Sequence, residues 1–117
     1  MQRPIFEGGR CEMKKLNLKC VELTETDIKH QIRDYLRARN IFNFPILQTL
    51  GTYKGAPDRI IFFKGKTICC EIKKPSGVQS EYQKQFQGDV ERSGGIYIIA
   101  KSLDDVISAL SRVESGL

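Results

Sequence analysis

The run Thr67-Ile68-Cys69-Cys70-Glu71-Ile72-Lys73 sets a carboxylate and an amine two residues apart in a β-rich stretch. Strand side chains alternate between faces, so Cys69, Glu71 and Lys73 share one face and Ile68, Cys70 and Ile72 the other. The isoleucine-rich face reads as core, and the opposite face then presents an acid beside an ammonium group. Asp58 opens a second β-rich run, Asp58 to Phe63, after a loop with two glycines and Pro57. If the two runs pair, Asp58 can meet Glu71. Two carboxylates next to a lysine suit a hard divalent cation held through oxygen and a water activated beside it. A plainer account also exists: an exposed Glu71–Lys73 pair of little energetic weight, with Asp58 as a turn residue.

Two further residues bear on that choice. Helical rotation of about 100° per residue puts Glu25 within roughly 20° of both Ile32 and Leu36, in the middle of an apolar stripe. A carboxylate there needs a partner such as a metal or a lysine. A first-turn acid favoured by the helix dipole is the other reading, and both stand open on these grounds. Gln83 follows Ser80 by three residues, as in a capping box. It also shares a helix face with Phe86 and Val90 and so points inward; the two roles are compatible.

The elements that must position these groups are legible in order. Thr24 caps a helix to about Arg39, with Asp27 in the place of the capping-box partner and Ile28, Ile32, Tyr35 and Leu36 as its stripe. A short strand is predicted over Phe44 to Leu50, followed by the loop Gly51 to Pro57. The two runs around a tight turn at Lys64-Gly65-Lys66 predict an antiparallel hairpin. Lys74 to Gly77 breaks the chain, and a helix follows from Ser80 to about Arg92. Gly94-Gly95 ends it before a buried strand, Ile96 to Ala100. A last helix starts at Ser102 with Asp105, on the stripe Leu103, Val106, Ile107, Leu110 and Val113. The helix joining the third and fourth strands predicts a parallel, right-handed connection. The order is α-β-β-β-α-β-α, an α/β fold with a mixed sheet of about four strands flanked by helices. Residues 24–117 are expected to form a single domain. Residues 1–23 are expected to be an N-terminal extension, either an edge strand over the alternating Leu16 to Val21 or an oligomerisation element.

Bulk composition is that of an ordinary globular protein, with 40% hydrophobic and 28% charged residues in 117. A net charge of +5 favours an anionic partner, nucleic acid or an acidic membrane surface. No apolar run reaches bilayer length, and the N-terminus lacks a signal-peptide core, so a cytoplasmic location with reduced cysteines is expected. Cys11 and Cys20 are too far apart for a zinc knuckle, and the adjacent Cys69 and Cys70 point to opposite strand faces. Buried hydrophobes are the better account of the latter pair.

Taken together, Gly55-Ala56-Pro57-Asp58, Glu71-Ile72-Lys73-Lys74-Pro75 and Ser80-Glu81-Tyr82-Gln83 resemble the virus-type replication-repair nuclease (VRR-NUC) domain of the PD-(D/E)XK superfamily. Glu25 on the first helix and Gly94-Gly95 belong to the same resemblance, which covers roughly residues 24–102. It implies a restriction-endonuclease-like core in which Asp58, Glu71 and the backbone carbonyl of Ile72 hold Mg²⁺ or Mn²⁺. Glu25 would join directly or through water. Lys73 would activate the water or contact phosphate, and Gln83 would support the centre. Stand-alone members are typically phage or bacterial and act on DNA, duplex or branched, Holliday junctions included, as homodimers or larger even oligomers.

Around this centre Lys54, Arg59, Lys74 and Lys84 are candidates to contact the DNA backbone, and Tyr53 to stack or bond to phosphate; solvated surface is the bland alternative for all five. The lone His30, near Asp34 on the polar side of its helix, reads as a surface residue. The resulting expectation is a metal-dependent DNA endonuclease. A non-catalytic DNA-binding module on the same fold and a structural domain with an incidental Glu71–Lys73 pair are the alternatives.

Overall fold

A computed structural model describes residues 23–116. The cysteines at 11 and 20 and the alternating stretch 16–21 fall outside these residues.

Helix α1 spans Glu25–Ala38 and begins where the sequence places it. The Thr24 hydroxyl accepts from the Asp27 amide at 3.0 Å, and Asp27 returns the contact to the Thr24 amide at 3.0 Å. Each such cap stabilises a helix start by about 1 kcal/mol. Ile28, Ile32 and Leu36 are buried, and Tyr35 lies half-buried beside them.

Strand β1 is shorter than its sequence suggests: it covers Asn43–Pro45, not residues 44–50. Pro45 has no amide to donate, and pairing ends after the Ile46 amide reaches the Asp58 carbonyl at 2.9 Å. Beyond it, the Thr52 hydroxyl bonds to the Leu47 carbonyl at 2.8 Å and folds the chain into a turn. Leu47 and Leu50 are therefore exposed.

Strands β2 (Arg59–Phe63) and β3 (Lys66–Ile72) pair antiparallel, with Arg59 opposite Cys70 and Phe63 opposite Lys66. The turn between them is Lys64-Gly65, both at positive φ (52° and 78°), which matches the twist of a two-residue hairpin. Helix α2 (Glu81–Arg92) crosses to β4 (Ile96–Ala100), which pairs parallel to β3 with Ile68 opposite Ile96. Helix α3 (Leu103–Glu114) completes a four-stranded mixed sheet of order β1-β2-β3-β4. The expected element order is reproduced in full.

One face of the sheet, with Ile61, Phe63, Ile68, Cys70 and Ile72, packs against Ile28, Ile32 and Leu36 of α1 and Val106 and Leu110 of α3. The other face carries Cys69 and Glu71 and is partly covered by α2, which contributes half-buried side chains only. Toward the β1 edge that second face bears Phe42, Phe44 and Phe62, in mutual contact at 5.4 to 6.2 Å between ring centroids and partly open to solvent. Cys69 and Cys70 are both buried, unbridged, and on opposite faces, as alternation requires. No helix among the described residues is long and apolar enough to cross a membrane.

Candidate active site

Asp58 sits at the mouth of β2 because two preceding residues, Ala56 and Pro57, are buried and fix its approach. Its amide donates to the Cys70 carbonyl at 3.1 Å. Its side chain reaches along β3, where Oδ2 accepts the Ile72 amide at 2.8 Å. The acid is thereby clamped to the strand that carries Glu71 and Lys73.

Glu71 is buried, with 3% of its surface exposed. The plainer account, an exposed Glu71–Lys73 pair, does not hold: β4 runs beside β3 and α2 lies over it, so β3 is buried on both sides. Glu71 Oε2 accepts from Gln83 Nε2 at 2.9 Å and lies 3.7 Å from Lys73 Nζ. Glu71 Oε1 is buried with no hydrogen-bond partner. Burial, and then the Asp58 charge, push the Glu71 carboxyl up to about 8, against the pull of the Lys73 ammonium. Burial thus favours the uncharged acid.

Gln83 fills both roles foreseen for it. Its Oε1 accepts the Ser80 amide at 2.8 Å, its own amide donates to Ser80 Oγ at 3.2 Å, and its Nε2 holds Glu71. The α2 start is thus wired to the acid. Gly55 permits the approach of the preceding loop: at φ +83°, a Cβ there would stand 2.2 Å from the Tyr82 carbonyl oxygen.

Of the remaining predicted residues, Glu25 reaches Asp58 only through Lys29, whose Nζ is 3.5 Å from Glu25 Oε2 and 3.4 Å from Asp58 Oδ1. Burial of this amine opposes its charge, but the Asp58 and Glu25 carboxylates outweigh that and raise its pKa. Among the described residues, no three His, Cys, Asp or Glu side chains converge as a metal site. Lys29 was missed in the sequence; its position one helical turn after Glu25 was the available signal. Arg59 borders the same small cavity as Asp58 and Lys29. It lies on the Ile61–Phe63 face, nearly buried, and donates to Asn43 Oδ1. Lys54 stands over the Tyr82 ring at 4.7 Å, Tyr53 packs edge-on against Phe86, and Lys84 pairs with Glu81 at 3.4 Å. Lys74 is exposed just past β3, and His30 is exposed on α1.

No protein-family model matches the sequence, and no curated protein does. Structural similarity is present. A solved structure described as a "VRR_NUC domain protein" superposes with a TM-score of 0.67 at 23% identity, over 79% of this chain and 88% of that one. A second, described as "VRR_NUC domain", gives 0.62 at 17% identity, over 79% and 97%. The chain has the VRR-NUC fold. In that fold the hairpin presents Asp58, Glu71 and Lys73 from two neighbouring strands, with Gln83 from the helix behind them.

The donors that Asp58, Glu71 and the Ile72 backbone offer fit a hard divalent ion. They are carboxylate and carbonyl oxygens without a thiolate or imidazole among them. The buried, unpartnered Glu71 Oε1 is the atom that such an ion would satisfy.

Proposed function

We propose that the chain is a divalent-metal-dependent endonuclease that hydrolyses phosphodiester bonds in DNA. The observation that carries this reading is Glu71: one oxygen is fixed by Gln83 and Lys73, while the other is buried without a donor next to the Asp58 charge. A carboxylate in that state is costly unless a cation joins it. Asp58, Glu71 and the Ile72 carbonyl are the groups that would hold Mg²⁺ or Mn²⁺. When bound, the ion supplies a Lewis acid for the phosphate and lowers the pKa of its water.

The chain's own residues do the rest. Gln83 keeps Glu71 aimed while its other end caps α2, so the acid has little freedom to turn away. Lys73, half-buried and beside Glu71, places an ammonium group where it can orient the attacking water or a phosphate oxygen. Lys54, Lys74 and Lys84 offer charge to the DNA backbone, and exposed Tyr53 a ring face. Binding should accordingly weaken with salt. Arg59, engaged on the other face, is left out of that set. A four-way junction cut symmetrically needs two centres, so a junction-cleaving form would be a homodimer or higher even oligomer.

The Lys29–Asp58 contact favours a second reading, a DNA-binding module whose acids stay neutralised without metal. One experiment separates the two. Linear, nicked, flapped and four-way-junction DNA are incubated with the protein in Mg²⁺, Mn²⁺ or EDTA, wild type beside Lys73→Ala and Asp58→Asn. Metal-dependent products from wild type alone are expected. Binding that leaves every substrate intact in both metals would overturn the nuclease reading.

A further inference from the structure

Lys29 belongs neither to the core nor to the scattered surface charge. Its ammonium group bridges Glu25 Oε2 and Asp58 Oδ1, at 3.5 and 3.4 Å. The other Asp58 oxygen is occupied by the Ile72 amide. Lys29 therefore contacts the Asp58 oxygen that the backbone leaves free. It lines a small cavity of about 190 Å³ together with Asp58, Arg59, Ile72, Pro45, Ile46 and Leu47, and the Arg59 guanidinium is taken up by Asn43. With 41% of the side chain exposed, the amine has a route to solvent.

We propose that Lys29 is a built-in placeholder for the divalent ion, neutralising Asp58 and Glu25 in the metal-free protein and leaving when the metal binds. This rests on the metal-binding reading above. A divalent ion and an ammonium group compete for Asp58 Oδ1, because like charges held side by side repel. Withdrawal of the amine frees Asp58 for the ion. It also releases Glu25 Oε2 from its contact with Lys29. Lys29 is thus a positioning residue that competes with the metal, and not one of its ligands.

The reading has an opposed pair of consequences that a merely structural lysine would not produce. Neutralising it should tighten metal binding while weakening the metal-free fold. Mn²⁺ alone is titrated calorimetrically into wild type, Lys29→Met, Lys29→Gln, Lys29→Arg and Lys66→Met, and each protein is melted in EDTA. Lys66, exposed on the hairpin, controls for the change in net charge. A unit charge removed from beside a divalent ion at a partly exposed site is worth on the order of tenfold in affinity. Lys29→Met and Lys29→Gln are expected to bind Mn²⁺ about tenfold more tightly and to melt lower in EDTA. Lys29→Arg and Lys66→Met should stay near wild type. Two neutral variants keep the test open should one fail to fold. If wild type binds Mn²⁺ and both neutral variants bind equally or more weakly, the placeholder role is wrong while the metal reading survives. If no protein in the series binds Mn²⁺, the metal reading falls and this inference with it.

Discussion

Replacing Glu71 by glutamine should stabilise the metal-free protein while destroying its chemistry, and the size of the gain follows from the site. Glu71 is raised from 4.5 to about 8 by burial and the Asp58 charge. An acid raised in the folded state costs stability whenever it must ionise. Below pH 4.5 it is protonated folded and unfolded, so nothing is lost. As pH climbs from 4.5 to about 8 the unfolded chain releases its proton first, and wild-type stability declines. Each unit is worth about 1.4 kcal/mol, which sets a ceiling of about 5 kcal/mol. Movement of the Lys73 amine and entry of water reduce this to roughly 1–3 kcal/mol. Glutamine keeps the shape and an acceptor for Gln83 but carries no charge. The assay is urea unfolding of both proteins in EDTA, at pH 4.5 and 8.5. Near-equal midpoints are expected at pH 4.5, and a clear advantage for Glu71→Gln at pH 8.5. Saturating Mn²⁺ should reverse the order at pH 8.5, because only wild type gains the binding free energy. A Glu71→Gln protein less stable than wild type at pH 8.5 in EDTA would refute the argument that burial and the Asp58 charge make this carboxylate costly to ionise.

Gln83→Ala should lose about 1–2 kcal/mol, since it removes the capping contact and the donor to Glu71 together. Gln83→Glu keeps the cap but faces Glu71 with a second acid, so its urea midpoint should match wild type at pH 4.5 and fall below it at pH 8.5. Gly55→Ala and Gly65→Ala form a paired comparison, because both sites have positive φ but only Gly55 meets the Tyr82 backbone. A loss of about 1–2 kcal/mol is expected at Gly65 from backbone strain, with a clearly larger one at Gly55, measured as shifts in thermal midpoint.

Much of the fold was legible because its signals are local. Thr24 with Asp27 and Ser80 with Gln83 fix two helix starts by contacts three residues apart, and Lys64-Gly65 fixes the hairpin. The pairing of Asp58 with Glu71 followed from that hairpin. What sequence reading missed depends on neighbours distant in the chain. The length of β1 is decided by Pro45 and by where β2 stops offering partners. The burial of Glu71 is decided by β4 and α2, which no alternation within β3 reveals. The Asn43 partner of Arg59 was not foreseen, because strand parity turns this side chain to the face of Ile61 and Phe63. Lys29 required knowing that the α1 start lies over the mouth of β2.

The bond from the Ile72 amide to Asp58 Oδ2 has a consequence for how such a protein can change. One carboxylate oxygen finishes a hydrogen bond that the folded backbone needs, and its twin faces Lys29 and the proposed metal position. Loss of that side chain strands a buried N–H, so a lineage giving up catalysis has reason to retain an oxygen there. Asparagine would keep the architecture and silence the reaction, whereas alanine would unsettle both. An acid at this position in a distant homologue therefore testifies to the fold first, and to catalysis only when the neighbouring glutamate and lysine stand with it.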